Sequence, residues 1–205
     1  LDVVREVKGP RPLLSREAEA ALTDRQRKLL AQLHEVFAGG FAHLTMGEMA
    51  RAASCSLRTL YELAPSKDEL VRLVVDHRLW QVGRAATVAI DADMDPLDAI
   101  RAYLRAAHVA VAGMTEAFAA DSAGDPGTSE INAAHAQYLV DVTRALLDRA
   151  VADGAIGDID TGAVARVIAN VGADLARPEV LPTLQTPPQT AADSVVDVVL
   201  RGLST

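Results

Sequence analysis

Three times between Thr23 and Glu69 a Ser or Thr stands three residues before a Gln or Glu and ahead of an apolar stretch. The pairs are Thr23 with Gln26, Thr45 with Glu48, and Ser66 with Glu69. In this pattern the hydroxyl accepts a backbone N–H of the first helical turn while the carboxylate or amide reaches back to the cap, so each pair marks a helix start. Leu29, Leu30, Leu33 and Phe37 follow the first at helical spacing, and Gly39-Gly40 supplies a stop. The second opens a short helix through Met49 to Ala53, Ser56 opens another through Leu60 to Glu62, and Pro65 closes it. The third begins a long helix with Leu70, Leu73, Val74, His77 and Trp80 on one face, reaching toward Ala89.

Beyond an acidic break at Asp91 to Asp95, Asp95-Pro96 presents an N-cap with Pro at the first helical position. Leu97, Ile100, Leu104, His108 and Val111 form the next stripe, and Met114 to Asp121 reads as a short helix. Ser122 to Thr128 reads as a Gly- and Pro-containing loop. Ile131, His135, Tyr138, Val142 and Leu146 mark a long helix ending near Gly154, and Asp160 or Thr161 caps another. The last apolar stretch, Val195 to Leu203, is β-branched, but Val195, Val199 and Leu203 keep a four-residue step and no sheet is on offer, so it reads as helix. The expected fold class is all-α with about nine helices: an amino-terminal three-helix domain at 23–70 and a helical bundle at 71–205. Leu1 to Leu22, with Lys8, Gly9, Pro10, Arg11 and Pro12 among cancelling charges, reads as a flexible arm. Gly9 to Pro12 resembles basic Gly/Pro stretches laid in DNA minor grooves.

Charge divides along the same lines. The chain carries a net charge of −8, yet residues 1–90 hold 13 Lys and Arg against 11 Asp and Glu, while residues 91–205 hold 7 against 17. A net −8 argues against nucleic acid, because duplex binding is driven by counterion release at basic surfaces; the distribution leaves the amino-terminal part open to it. Cys55 is the single cysteine, which excludes an intrachain disulfide and a thiolate-built four-ligand zinc site and suits a reducing cytoplasm. No apolar run approaches the roughly 18 to 20 residues that span a bilayer, and Leu1 to Leu22 has no signal-peptide core, so a soluble, cytoplasmic protein is expected. With no phosphate loop, nucleophile elbow or metal-ligand cluster, the expectation is a non-enzyme without metal or cofactor.

Two short helices joined by a tight turn, with a third packed behind, can set one helix into the major groove. Such units carry an Ala one turn before the bend, a residue at the bend that is usually Gly, and an apolar anchor six positions later; here these are Ala50, Ser54 and Leu60. From Leu29 to Leu70, through Phe37, Gly40-Phe41, Thr45, Met49-Ala50, Ala53, Ser56, Thr59-Leu60-Tyr61, Pro65-Ser66-Lys67 and Glu69-Leu70, the chain closely resembles the amino-terminal domain of the TetR family of transcriptional regulators. The resemblance implies a homodimer that binds double-stranded operator DNA and answers to a small-molecule effector, most simply as a repressor; a pocket lined by Ala, Leu and Val with a few polar handles would suit a hydrophobic one. Thr45, Ser56, Tyr61 and Lys67 would contact phosphates. Leu57, Arg58 and Thr59 would face the groove, Arg58 pairing with guanine or remaining a solvated charge. Two positions depart from the family. Ser54 stands where the turn usually has glycine; if the backbone there needs a positive φ, Ser adopts it at a cost of about 1 kcal/mol. Ala64 replaces a Phe, leaving space for a neighbour such as Leu63 or Phe41.

The remaining helices carry no recognised motif. Large or polar residues on otherwise apolar stripes, Trp80, Tyr103, His108, Met114, Phe118, His135 and Tyr138, are the ligand candidates, with core histidines the alternative for His108 and His135. Ala165, Ala169 and Gly172 form a small-residue edge that permits close helix approach. With Val195 and Val199 on the last helix they are the expected dimer interface, packing within one chain being the alternative. A dimeric ligand- or protein-binding module of the same fold that no longer binds DNA is the competing functional reading.

Overall fold

The computed structural model describes residues 2–91, 93–111, 115–177 and 179–203. Eleven α-helices and one 3-10 turn, with no strand, are found among them: α1 Asp2–Glu6, α2 Arg16–Ala21, α3 Asp24–Ala38, α4 Met46–Ala52, α5 Leu57–Leu63, α6 Lys67–Val88, α7 Pro96–Val111, α8 Glu116–Gly124, α9 Pro126–Ala152, α10 Thr161–Leu175 and α11 Pro188–Leu203, with the 3-10 turn at Leu181–Thr183. No helix among the described residues is long and apolar enough to cross a membrane.

The helix starts follow from side chains next to them in sequence. Thr23 and Thr45 each close a complete capping box, with Gln26 and Glu48 respectively. The third pair makes the hydroxyl half: Ser66 Oγ accepts the Glu69 N–H at 3.2 Å and donates its own proton to the Glu69 carboxylate at 3.1 Å. Asp95 accepts from the Leu97 N–H at 2.9 Å ahead of Pro96, and Asp160, not Thr161, caps α10. The α9 end is closed by Gly154 at φ 71, with the Ala155 N–H bonded back to the Ala150 carbonyl at 2.9 Å. The β-branched carboxy-terminal stretch is helical, as its four-residue step requires.

Two expectations are corrected. Ser122 to Thr128 is not a loop: α8 runs to Gly124 and α9 starts at Pro126. Asp125 accepts the Thr128 N–H at 2.8 Å ahead of that proline, repeating the Asp95-Pro96 device. Residues 1–22 contain two helices instead of a flexible arm, which accounts for the excess over nine. Val4 is buried, with Val3 and Val7 packed partly beside it, a one-turn apolar stripe that the mixed charges of the segment obscure. Farther on, Leu13 donates its backbone N–H to the Asp76 carboxylate at 2.9 Å, and Glu19 lies 3.6 Å from His77 Nε2. Gly9 to Pro12 is therefore bracketed by two anchored points.

The chain forms two compact units. The first comprises Arg11–Gln81 and Gly113–Ala133. Its core joins Leu29, Leu30, Leu33 and Phe37 of α3 to Met49 and Ala50 of α4, Leu60 of α5, Leu70, Val71, Val74 and Val75 of α6, and Phe118 of α8. His34 and His77 stack within it, ring centroids 5.3 Å apart. The second comprises Leu1–Pro10, Val82–Ala112 and Ala134–Thr205. Its core is built from Ile100, Tyr103 and Leu104 of α7, Val142, Leu146 and Leu147 of α9, Ala165, Ile168 and Ala169 of α10, and Val196 and Leu200 of α11.

Candidate nucleic-acid interface

Helices α4 and α5 are too short to persist alone, and the first unit's core holds them. Met49 and Leu60 are fully buried and Ala50 nearly so, giving each helix an inward anchor. The bend between them is a Schellman-type end to α4: the Ser54 N–H reaches the Arg51 carbonyl at 3.1 Å and the Cys55 N–H reaches the Ala50 carbonyl at 2.9 Å. Ser54 takes φ 52, the only positive φ of a non-glycine residue among those described. The departure from glycine thus leaves the turn geometry intact and costs about 1 kcal/mol of local strain. Burial pushes the Cys55 thiol pKa up, keeping it a thiol.

All seven residues expected at DNA belong to this unit, on or beside α4, α5 and the start of α6. Leu57 and Tyr61 are 43% and 50% exposed, and the Arg58 side chain is 90% exposed, its Nε 3.1 Å from Glu62 Oε1. Ser56 Oγ caps α5 by accepting the Thr59 N–H at 3.1 Å and stands 2.7 Å from Thr59 Oγ1. Thr45 caps α4, its N–H and hydroxyl both donating to the Glu48 carboxylate at 2.8 and 2.7 Å. Those two bonds hold the Glu48 carboxyl below the usual carboxylate range, so it stays charged on this surface. Lys67 Nζ donates to the Ala42 carbonyl at 2.7 Å and so ties the segment before α4 to the start of α6. Sequence reasoning passed over Arg51 and His43, both exposed, one on α4 and one two residues before its cap. The signal for Arg51 was a basic side chain on a helix already assigned to the motif. Glu48, read from the sequence only as a capping partner, and Glu62, which was given no role, are carboxylates beside the basic groups.

The segment from Gly39 to Leu44 that carries the chain into α4 is held by α8, from a distant part of the sequence. Asp121 accepts the Phe41 and Ala42 N–H groups at 2.5 and 2.8 Å, and the Thr115 hydroxyl donates to the Ala38 carbonyl. Gly40 sits at φ 95, where a Cβ would lie 3.0 Å from Asp121 Oδ2 and 3.2 Å from Ala117 Cβ, so both backbone and space call for glycine. Phe41 packs against Phe37 and edge-on to Phe118, centroids 5.6 and 5.9 Å apart. The aromatic content of this core comes from those three rings, while Ala64 is buried as a small residue.

The ligand candidates divide between the units. Trp80 is half-buried on α6, and Phe118, expected at a ligand, is a core residue of the first unit because its ring fills the space beside Phe41. In the second unit Tyr103 is buried and its phenol pKa is pushed up by that burial and by the neighbouring Tyr138. Tyr138 and His135 are half-buried. His108 is buried with Nδ1 3.0 Å from the Asp193 carboxylate and, among the described residues, no hydrogen-bond partner on Nε2. Met114 lies outside the described residues.

The dimer candidates need correction too. Ala165 and Ala169 are 0% and 4% exposed inside the chain's own core, where small side chains let α10 lie close to its neighbours. Gly172 faces the His108 ring. Val199 is half-buried, while Val195 stays exposed, and the large exposed apolar residues of α10 and α11 are Val167, Val195 and Val198.

Two capped short helices around a Schellman bend, with an exposed second helix, define a helix-turn-helix unit, here joined in one all-α chain to a helical bundle. No family model matches the chain, and no curated protein matches it by sequence. Solved structures do. A TetR transcription regulator from Haloarcula marismortui superposes with a TM-score of 0.73 at 14% identity, covering 90% of this chain and 100% of its own. PfmR, a TetR family transcriptional regulator from Thermus thermophilus, gives 0.63 at 21% identity over 86% and 99%. A bacterial regulatory protein in the tetR family from Rhodococcus gives 0.66 at 20% identity over 89% and 98%. The fold of this chain is that of the TetR family of transcriptional regulators.

Proposed function

We propose that the chain is a DNA-binding transcriptional regulator whose first unit sets α5 into the major groove. The observation that carries this is the exposed face of α5, with Leu57, Tyr61 and the Glu62-paired Arg58 on a helix whose opposite side is locked into a core by Leu60. Phosphate contacts come from the capped starts of α4 and α5 and from Tyr61 and Lys67, and Arg58 reads guanine. Two copies pair through the exposed valines of α10 and α11, matching a palindromic operator. A small hydrophobic effector in the second unit relieves repression. Helices α6 and α9 each continue from one unit into the other, and α8 leaves α7 to hold the segment before α4, so a shift in the second unit has covalent routes to the recognition helix.

A second reading, a dimeric binding module of this fold without DNA, is favoured by Glu48 and Glu62 among the basic groups and by the net charge of −8. Selection from a random duplex library at low salt separates the two. A regulator enriches a palindromic site and loses affinity steeply as salt rises. An intact dimer that enriches nothing establishes the module. Thermal-shift screening addresses the effector, since a ligand at 100 times its dissociation constant adds about 2.7 kcal/mol.

A further inference from the structure

Arginine reads guanine well only when its guanidinium is aimed, because a free side chain loses rotamer freedom on binding and samples several approaches. On α5 the aim is already set. Arg58 Nε donates to Glu62 Oε1 at 3.1 Å, one helical turn along the same exposed face, and among the described residues Arg58 takes no other partner. A carboxylate on Nε closes the side-on approach of the guanidinium and leaves its two terminal amino groups as a forward fork. That fork matches the N7 and O6 acceptors that guanine presents in the major groove.

We infer that Glu62 is a specificity-determining positioning residue: it holds Arg58 for end-on pairing with a guanine without itself touching the base. This rests on the base-reading role proposed for Arg58. As an exposed pair the contact adds little to stability in the free protein; its effect appears at the groove, where water is displaced and the donor geometry decides which base is accepted. The charge has an opposite and separable consequence, because a carboxylate beside phosphates weakens binding to every sequence alike.

The test uses the full chain as wild type, Arg58→Ala, Glu62→Ala, Glu62→Gln and the Arg58→Ala/Glu62→Ala double variant, each profiled on a randomised duplex library and then on single-base variants of the selected site. Arg58→Ala is expected to flatten preference at one guanine by about tenfold or more. Glu62→Ala flattens preference at that same base pair while raising affinity for unrelated DNA, and the double variant discriminates no worse than Arg58→Ala. Glu62→Gln, whose amide oxygen still accepts the Nε–H, keeps the preference while showing the same general rise in affinity.

Glu62→Ala binding all sequences more tightly with its preference intact overturns the inference, leaving Glu62 a repelling charge. Flattening at a different base pair also overturns it, since Glu62 would then read a cytosine amino group directly. If Arg58→Ala lowers affinity uniformly and leaves every preference in place, the base-reading role itself fails, and the positioning role with it.

Discussion

Asp121 and Phe41 stand 80 residues apart in sequence, and the Asp121 carboxylate takes the Phe41 backbone N–H at 2.5 Å. With the Ala42 bond at 2.8 Å, one charged group satisfies two consecutive amides of the segment that aims α4. Hydrogen bonds to a charged acceptor are about twice as strong as neutral ones. Asp121→Ala is therefore expected to cost about 2–4 kcal/mol in chemical denaturation. Asp121→Asn, which keeps one acceptor oxygen, should cost less than half of that. Equal losses would show that the charge matters and the geometry does not.

Ser54 at φ 52 carries strain that glycine would not. Ser54→Gly should raise stability by up to about 1 kcal/mol, the relief being partly offset by the freer unfolded chain. Ser54→Val should lower it by about 1–2 kcal/mol, because a β-branched side chain tolerates positive φ worst. Thermal melts of the three proteins give the order directly, and a valine variant as stable as wild type would refute the strained turn.

His34 is buried against His77, Nε2 to Nδ1 at 3.4 Å. Burial first, then the neighbouring His77 and Arg78, lowers its pKa from 6.5 to about 4. The unfolded chain thus binds more protons than the folded one between those values, so stability rises with pH there. The contribution is complete above about pH 6.5 and is lost as pH falls toward 4, to an amount of order 3 kcal/mol. The difference in unfolding free energy between wild type and His34→Phe, measured at pH 7 and at pH 4.5, should shift against wild type at the lower pH. A difference independent of pH excludes the buried neutral imidazole.

Gly172 and Gly83 respond to the same change in opposite directions. A Cβ at Gly172 would lie 2.6 Å from His108 Cδ2 and 2.9 Å from Nε2, forcing a buried ring that is bonded to Asp193, whereas at Gly83 nothing stands within 4 Å. Gly172→Ala should lose about 1–3 kcal/mol by overpacking. Gly83→Ala should gain about 0.5–1 kcal/mol through helix propensity and a less flexible unfolded state. The opposite pair of signs in denaturation would discredit the packing described around His108.

Val167 and Val198 are 61% and 68% exposed, so charges placed there leave the core of the chain intact. If two copies pair through α10 and α11, Val167→Glu with Val198→Glu should yield a folded monomer at concentrations where the wild type sediments as a dimer, because like charges would be buried opposite one another. An unchanged sedimentation coefficient rules out this face.

Helix starts were legible in the sequence because capping is local chemistry: a Thr, Ser or Asp satisfies amides two or three residues ahead, whatever the rest of the chain does. That is why Thr23, Thr45, Ser66 and Asp95 open helices where their spacing says, whereas whether the turn at Ser54 needs a positive φ was left open by the sequence and is answered by the φ of 52 found there. The Asp125-Pro126 start carried the same signal, but the surrounding Gly and Ser read as loop. On α5, Leu57 and Arg58 are exposed and Leu60 is buried, while Thr59, which the resemblance put on the same face, is half-buried. Burial partners were not legible. Phe118 and Tyr103 look alike on their stripes, yet one fills the helix-turn-helix core and the other the second unit. Ala165 and Ala169 suit an interface between chains as well as one within a chain. Periodicity states which side of a helix is apolar and nothing about what will cover it. Only tertiary packing, which brought Asp121 to Phe41 and Val4 to the second core, decided that.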